Sequence, residues 1–274
     1  MDSRGRQEVH SGNLRVDRIR LSWREWSMAC KGGNCSFFDF SGNKTARGHF
    51  FECLWKDSPK THIVTIPEKD SEFKMNSEGG FTYTPRPGWI RRWEWYDTCD
   101  KWNYNKDENI LVQVYTNAPE VELFLNGTSL GTKKRSDFTE HNILMWKVPY
   151  KKGTLIAIGK DGGRTLSQDT LSTNGKPSRL AVNCDRKTVT DNGYDLVHVE
   201  VSIEDKKGNK VVDMPSDIRL ILDDKLELAG LDNGSASIDD LNIRNNSVRT
   251  YNGSCLFVLR TIKGKKGTSS VMVV

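Results

Sequence analysis

Apolar and polar positions alternate most cleanly in "EVELFLNGTSLGTKK", Glu120 to Lys134. Val121, Leu123 and Leu125 share one side of an extended chain and Glu122 and Phe124 the other, so one face is expected to be buried. Asn126-Gly127 accommodates the positive φ angles of a two-residue turn, and the chain starts back at "TSLG". The stretch predicts a β-hairpin and holds no catalytic group. From Tyr104 onward the pattern is almost purely that of strands: "ILVQVYTN", "ILMWKVPY", "GTLIAIGKDGG", "LVHVEVSIED", "IRLILDD" and "SCLFVLRTI". Gly, Asn, Asp and Pro punctuate them. No long amphipathic helix stands out there, and the spacing predicts antiparallel sandwiches, an all-β fold of immunoglobulin-like domains.

"STNGKPSRL", Ser172 to Leu180, interrupts this series with an Asn-Gly pair and a proline, and a fresh strand is expected at Leu180. A boundary near Gly175 leaves about 70 residues from Tyr104 and about 100 beyond, the latter the size of an immunoglobulin-like domain. Residues 1–103 are different: rich in Trp, Arg and Gly, with weak periodicity. "KTARGHFFECLW" predicts a short helix or strand burying Phe50, Phe51, Leu54 and Trp55. "NSEGGFTYTPRPGW" reads as a long irregular loop. The expected division is therefore 1–103, 104–174 and 175–274, with the apolar residues of the first segment looking for a partner outside this chain.

Composition changes this picture little. With 28% charged residues and a mean hydropathy of -0.62, the chain reads as soluble. No apolar run approaches the roughly 20 residues that span a bilayer. "MDSRGRQEVH" is charged where a signal peptide needs an apolar core, so no export signal is expected in the chain as written. The net charge of +5 is spread along the sequence and interleaved with acids. "GTKKR" and "KGKK" read as solvated loops, and no nucleic-acid partner is expected. None of the six cysteines shows C-x-x-C spacing, so no metal or redox site is expected. Cys30 and Cys35 are close enough to pair in an oxidising compartment; the alternative is that most cysteines are small buried apolar residues. Asn-x-Ser/Thr triplets such as those at Asn43 and Asn126 often coincide with Asn-Gly turns and argue little for glycosylation.

The order of motifs carries a family resemblance. "VQVYTNAPEVELFLNGTSLGTK", then "MWKVPYKKGTLIAIGKDGG", resembles the β-domain that follows the catalytic barrel in bacterial β-galactosidases of glycoside hydrolase family 2. "GKPSRLAVNCDRKTVTDNGYDLVHVEVSIEDKKGN" and "LAGLDNGSASIDD" with "RTYNGSCLFVLRT" resemble that family's final immunoglobulin-like domain. "FDFSGNKTARGHFFECLWKDSPKTHIVT" is similar to the segment where the family's chain leaves its (β/α)8 barrel, and "KWNYNKDEN" to its entry into the β-domain, with Trp102 as the residue of that seam. Ile66 to Lys101 is an insertion resembling those of enzymes acting on algal galactans. The resemblance covers roughly residues 36–274 and implies a parent that hydrolyses terminal β-galactosides with retention, in a bacterial periplasm or secreted.

It also implies what is missing. The family's general acid sits in an Asn-Glu motif, and this sequence contains no Asn-Glu dipeptide. Retaining glycosidases need two carboxyl groups about 5 Å apart, held at the strand ends of a barrel of about 250 residues. The segment before Tyr104 is too short for one. Glu25, Glu52 and Glu94 lie beside aromatics but read as surface or hydrogen-bonded groups. No Gly-x-Ser-x-Gly elbow or phosphate-cradling glycine loop occurs. His49 and His62 flank the Trp55 segment and read as packed histidines rather than bases or ligands. "LAGLDNG" lacks the alternating oxygens of a calcium loop and reads as a turn.

The candidate site is "PRPGWIRRWEWYDTCDKW". If Trp93 and Trp95 lie on a strand, both rings face one side. Aromatic faces suit sugar rings, and Arg91, Arg92 and Glu94 are placed to bond hydroxyls or, for arginine, sulfate groups. Trp89, Arg92, Trp93 and Trp95 are the expected substrate-binding residues. The competing reading is that these tryptophans plug the seam between barrel and β-domains. The expected role is thus the non-catalytic C-terminal part of a β-galactosidase-like hydrolase, with no cofactor, whose partners are a β-galactoside or galactan and a catalytic barrel. A stand-alone carbohydrate-binding module and a purely adhesive domain pair are the alternatives.

Overall fold

A computed structural model describes residues 35–85, 87, 94–137, 141–236, 241–242 and 245–274. The chain divides into two compact units, one holding residues 35–38 and 44–173, the other 39–43 and 174–274.

The first unit contains α1 (Ala46–Trp55) and β1 (Thr61–Pro67), the short strands β2 (Phe73–Met75) and β3 (Phe81–Tyr83), and six further strands. These are β4 (Asn109–Thr116), β5 (Glu120–Leu125), β6 (Thr128–Lys134), β7 (Leu144–Pro149), β8 (Thr154–Asp161) and β9 (Arg164–Ser172). β1-β4-β7 forms one sheet and β6-β5-β8-β9 a second, every pairing antiparallel. The core between them gathers Ile63, Ile110, Val112, Val114, Leu123, Leu144, Trp146, Leu155 and Trp102. Trp102 is fully buried there and is a core residue of this sandwich, not a seam residue.

The hairpin of β5 and β6 forms as its sequence predicts. Val121, Leu123 and Leu125 are buried, and Asn126 and Gly127 adopt φ of 53° and 80°. Asn126 does more than turn the chain. Its Oδ1 accepts from the Thr154 amide (2.8 Å) and its Nδ2 donates to the Lys152 carbonyl (3.1 Å), binding the hairpin to the start of β8. A Cβ on Gly153 would lie 1.7 Å from Asn126 Oδ1, so only glycine fits there.

β4 is buried on both faces, which explains why "ILVQVYT" reads as a nearly continuous apolar run. Its other face, with Leu111 and Tyr115, joins Val64, Ile66, Phe73 and Met145 under Phe50 and Cys53 of α1. Phe50 and Cys53 therefore find partners within the chain, where the expectation was that this segment's apolar residues need one outside it. α1 begins at Thr45, whose Oγ1 accepts from the Gly48 amide at 3.2 Å. Asn117 of the "YTN" motif holds the exit from α1: its Nδ2 donates to the carbonyls of Lys56 and Ser58 at 2.9 Å, and its Oδ1 accepts from the Lys60 amide at 2.7 Å. Phe50 is buried as expected, Phe51 is only half-buried, and Leu54 (43% exposed) and Trp55 (61%) face outward. Part of the expected irregular loop is also ordered differently: β2 and β3 form a small hairpin turned by Asn76, whose Oδ1 accepts from the amides of Glu78 and Gly80.

The second unit holds β10 (Arg179–Cys184), β11 (Leu196–Glu204), β12 (Asp217–Leu222), β13 (Leu226–Asp232), β14 (Leu241–Asn242), β15 (Ser247–Arg249), β16 (Ser254–Thr261) and β17 (Val271–Val273). The sheets are β10-β11-β16-β13 and β14-β15-β12-β17. Val199, Val201, Phe257 and Leu259 from the first meet Ile218, Leu220 and Val248 from the second. "LAGLDNG" is largely strand, and only Asn233-Gly234 turns the chain, which narrows the expected turn. The fold is all-β, two antiparallel sandwiches. Burial pushes the thiols of Cys53 and Cys255 up to about 12, as befits inert core cysteines, whereas Cys184 is exposed. The alternative of a Cys30–Cys35 pair involves Cys30, which lies outside the described residues.

Asp223, in the turn after β12, supports the C-terminal strand. It accepts from the Lys225 amide (2.9 Å), the Ser269 hydroxyl (2.9 Å) and the Ser270 amide (3.2 Å). The Lys225 amide bond, chiefly, holds its carboxyl down to about 2, below the ordinary 3.8. Because the folded pKa is the lower one, this contribution is full above about pH 4 and fades as pH falls toward 2. Asp223→Asn is expected to lower the urea midpoint of this unit at pH 7 and to leave little difference from the parent at pH 2. An equal difference at both pH values would refute the linkage.

Candidate functional site

Of the expected sugar-binding residues, Trp89, Arg92 and Trp93 lie outside the described residues, as does Glu25. Trp95 is described and is half-buried. Its ring stands 5.0 Å from Phe50 of α1 and 5.0 Å from Tyr96, and its Nε1 donates to Tyr115 Oη of β4 at 3.2 Å. Tyr115 in turn donates to Gln113 Oε1 at 3.3 Å, and burial raises its phenol well above the usual range. Tyr96, Phe73, Tyr83 and His141 extend the cluster, with Tyr96 Oη 3.2 Å from His141 Nδ1. Trp95 thus anchors its segment onto the helix side of β1-β4-β7 through an inward-pointing indole nitrogen. This contact lies within the chain and differs from the seam between barrel and β-domains weighed against sugar binding.

Glu52 on α1 cannot serve as a general acid at neutral pH. Lys44 and Lys56 meet its carboxylate at 2.7 Å and Lys60 at 3.3 Å. Burial pushes its pKa up, but the bonds from Lys44 and Lys56 and the charge of Lys60 prevail and hold it at about 2. Glu94 is half-buried next to Trp95.

The second constellation joins four side chains from four places in the sequence. His49 on α1 and His62 on β1 stack with ring centroids 3.7 Å apart and planes 20° from parallel. His62 Nδ1 lies 3.1 Å from Asp169 Oδ2 on β9, and its Nε2 3.4 Å from Asp100 Oδ1. Asp169 Oδ2 also accepts from the Ile63 amide at 2.8 Å, which fixes the carboxylate beside the ring. Burial disfavours charge on His62, yet the two carboxylates outweigh it and raise its pKa to about 9. Burial and then the His62 charge lower His49 to about 4. A cationic ring therefore stacks on a neutral one. The donor atoms of His49, His62 and Asp100 lie within 4.8 Å of one another, which makes these residues the possible metal ligands among the described ones.

Sequence reasoning named both histidines but could not pair them, and it missed Asp100 and Asp169. No local signal links a carboxylate on β9 to a ring on β1; only the packing of the two sheets brings them together.

Two family profiles match the chain. Residues 107–167 match a domain of unknown function (DUF4982), and residues 180–274 match glycoside hydrolase family 2 C-terminal domain 5. Beta-galactosidase BoGH2A of Bacteroides ovatus is 30% identical over 171 residues, 62% of this chain and 20% of that protein. A Formosa agariphila protein that bears the name of a β-glucuronidase is 30% identical over 142 residues, 52% of this chain and 11% of its own length. Among solved structures, a family 2 glycosyl hydrolase from Bacteroides cellulosilyticus aligns with a TM-score of 0.70 at 26% identity, covering 88% of this chain and 32% of that one. The chain thus spans about a fifth of the first of these relatives.

Proposed function

Because this chain carries the C-terminal region of a glycoside hydrolase family 2 protein, we propose that it is a non-catalytic scaffold on which a catalytic barrel docks. The observation that carries this reading is the aromatic ledge on α1. Trp55 is 61% exposed and Leu54 43% exposed, while Phe51 and Phe37 stand 5.0 and 5.5 Å from the Trp55 ring. Two adjacent exposed apolar side chains, Leu54 and Trp55, backed by buried Phe37 and half-buried Phe51, favour a docking role for this ledge. It lies where the resemblance puts the exit from the barrel. The ionised, triply lysine-bound Glu52 is itself not placed to act as a general acid. The substrate of the whole enzyme is a terminal β-galactoside, in keeping with the β-galactosidase name of the Bacteroides ovatus relative, with a β-glucuronide as the competing sugar. Trp89, Arg92, Trp93 and Trp95 would then form one wall of the cleft.

The test is direct. The chain alone is expected to release no nitrophenol from p-nitrophenyl β-galactoside or β-glucuronide. Turnover that disappears on changing a single glutamate would overturn the scaffold reading. Galactan oligosaccharide binding by the isolated chain, lost in both Trp93→Ala and Trp95→Ala, would replace it with that of a carbohydrate-binding module.

A further inference from the structure

We propose that His49, His62 and Asp100 form a binding site for a divalent transition metal ion of the zinc type, which staples α1 to β1. Two imidazoles and one carboxylate are a donor set suited to zinc rather than to calcium or magnesium, which favour oxygen alone. Zinc bonds of about 2.0–2.1 Å at a tetrahedral angle put neighbouring ligand atoms about 3.4 Å apart. His62 Nε2 and Asp100 Oδ1 are 3.4 Å apart. His62 is 8% exposed, and its Nε2 is buried with no hydrogen bond despite facing that carboxylate. The separation is that of a loose ion pair and equally that of two ligands on one ion.

The surroundings supply the rest of a site. Asp169 holds the other nitrogen of His62, the carboxylate–histidine arrangement that orients a ligating imidazole. His49 Nδ1 is likewise buried without a hydrogen bond, 3.7 Å from Glu52 Oε2. The two rings are stacked, so one must turn for both nitrogens to converge on an ion. His62 is fixed by Asp169, so His49, one helical side chain with no hydrogen bond at Nδ1, is the ring that turns. Charge permits the ion. Asp100 and Asp169 face it, and the nearby cations Lys44 and Lys60 are held on Glu52 at 2.7 and 3.3 Å. Asp100 is exposed, leaving the fourth position to water. A proton leaves His62 Nε2 when the ion arrives, so binding is measured at pH 8.

The experiment is titration of the full chain with Co²⁺ in the absence of chelator, followed by visible absorption, and thermal unfolding with and without Zn²⁺. A tetrahedral d–d band and a raised Tm are expected. His49→Gln and Asp100→Asn, the latter at an exposed position, should keep the fold by circular dichroism and weaken Co²⁺ binding at least tenfold. No band with the parent chain would overturn the proposal. A band of undiminished affinity in both variants would also overturn it, assigning the ion to cysteine thiolates or surface groups instead.

Discussion

Trp102→Ala is expected to destabilise the first unit by about 3–5 kcal/mol, the range for truncating a large buried aromatic. The side chain is fully buried in the sandwich core, with Tyr150 5.3 Å and Tyr104 6.2 Å away, both edge-on. Its Nε1 donates to the Lys151 carbonyl at 3.0 Å, and its own carbonyl accepts from Thr173 Oγ1 at 2.9 Å. Alanine would open a cavity between the sheets and leave the Lys151 carbonyl short of a donor. Trp102→Phe should cost less, since it keeps most of the packing and loses the hydrogen bond. Urea unfolding followed by far-ultraviolet circular dichroism measures both without relying on the deleted fluorophore. A loss under about 1 kcal/mol for alanine would mean that this tryptophan is not the core residue described.

The counterpart in the second unit is Phe257→Ala, with an expected cost of about 3–5 kcal/mol. Phe257 is fully buried in β16, opposite Val199 of β11 and Leu231 of β13. It fills the space above Ile218, Leu220 and Val248, and none of these short side chains can reach into the vacated volume. Leu256, on the other face of the same strand and only half-buried, is the control, and Leu256→Ala should cost well under half as much. Amide exchange read strand by strand would show the protection lost in β11, β13 and β16. Equal costs at 256 and 257 would contradict the inward alternation of β16.

What the sequence by itself determined is the local part. Alternation in β5, β11 and β16 and the Asn126-Gly127 pair report one-faced burial and a forced turn, properties written within a few residues. The Asn-Gly-x-Pro stretch from Asn174 is a break of the same local kind, and the two compact units part between Thr173 and Asn174. The resemblance pointed to the C-terminal region of family 2 hydrolases through motif order, which is also local information. Non-local facts were decided by tertiary structure. β1 pairs along its length with β4, far downstream, and that pairing is what gives α1 its floor. Leu54 and Trp55 look like core residues in the sequence but emerge outward, because α1 docks through Phe50 and Cys53 instead. The assembly of His49, His62, Asp100 and Asp169 depends on a helix, two strands and a loop meeting. A side chain's chemistry is visible one residue at a time, whereas its partners are set by how the sheets pack.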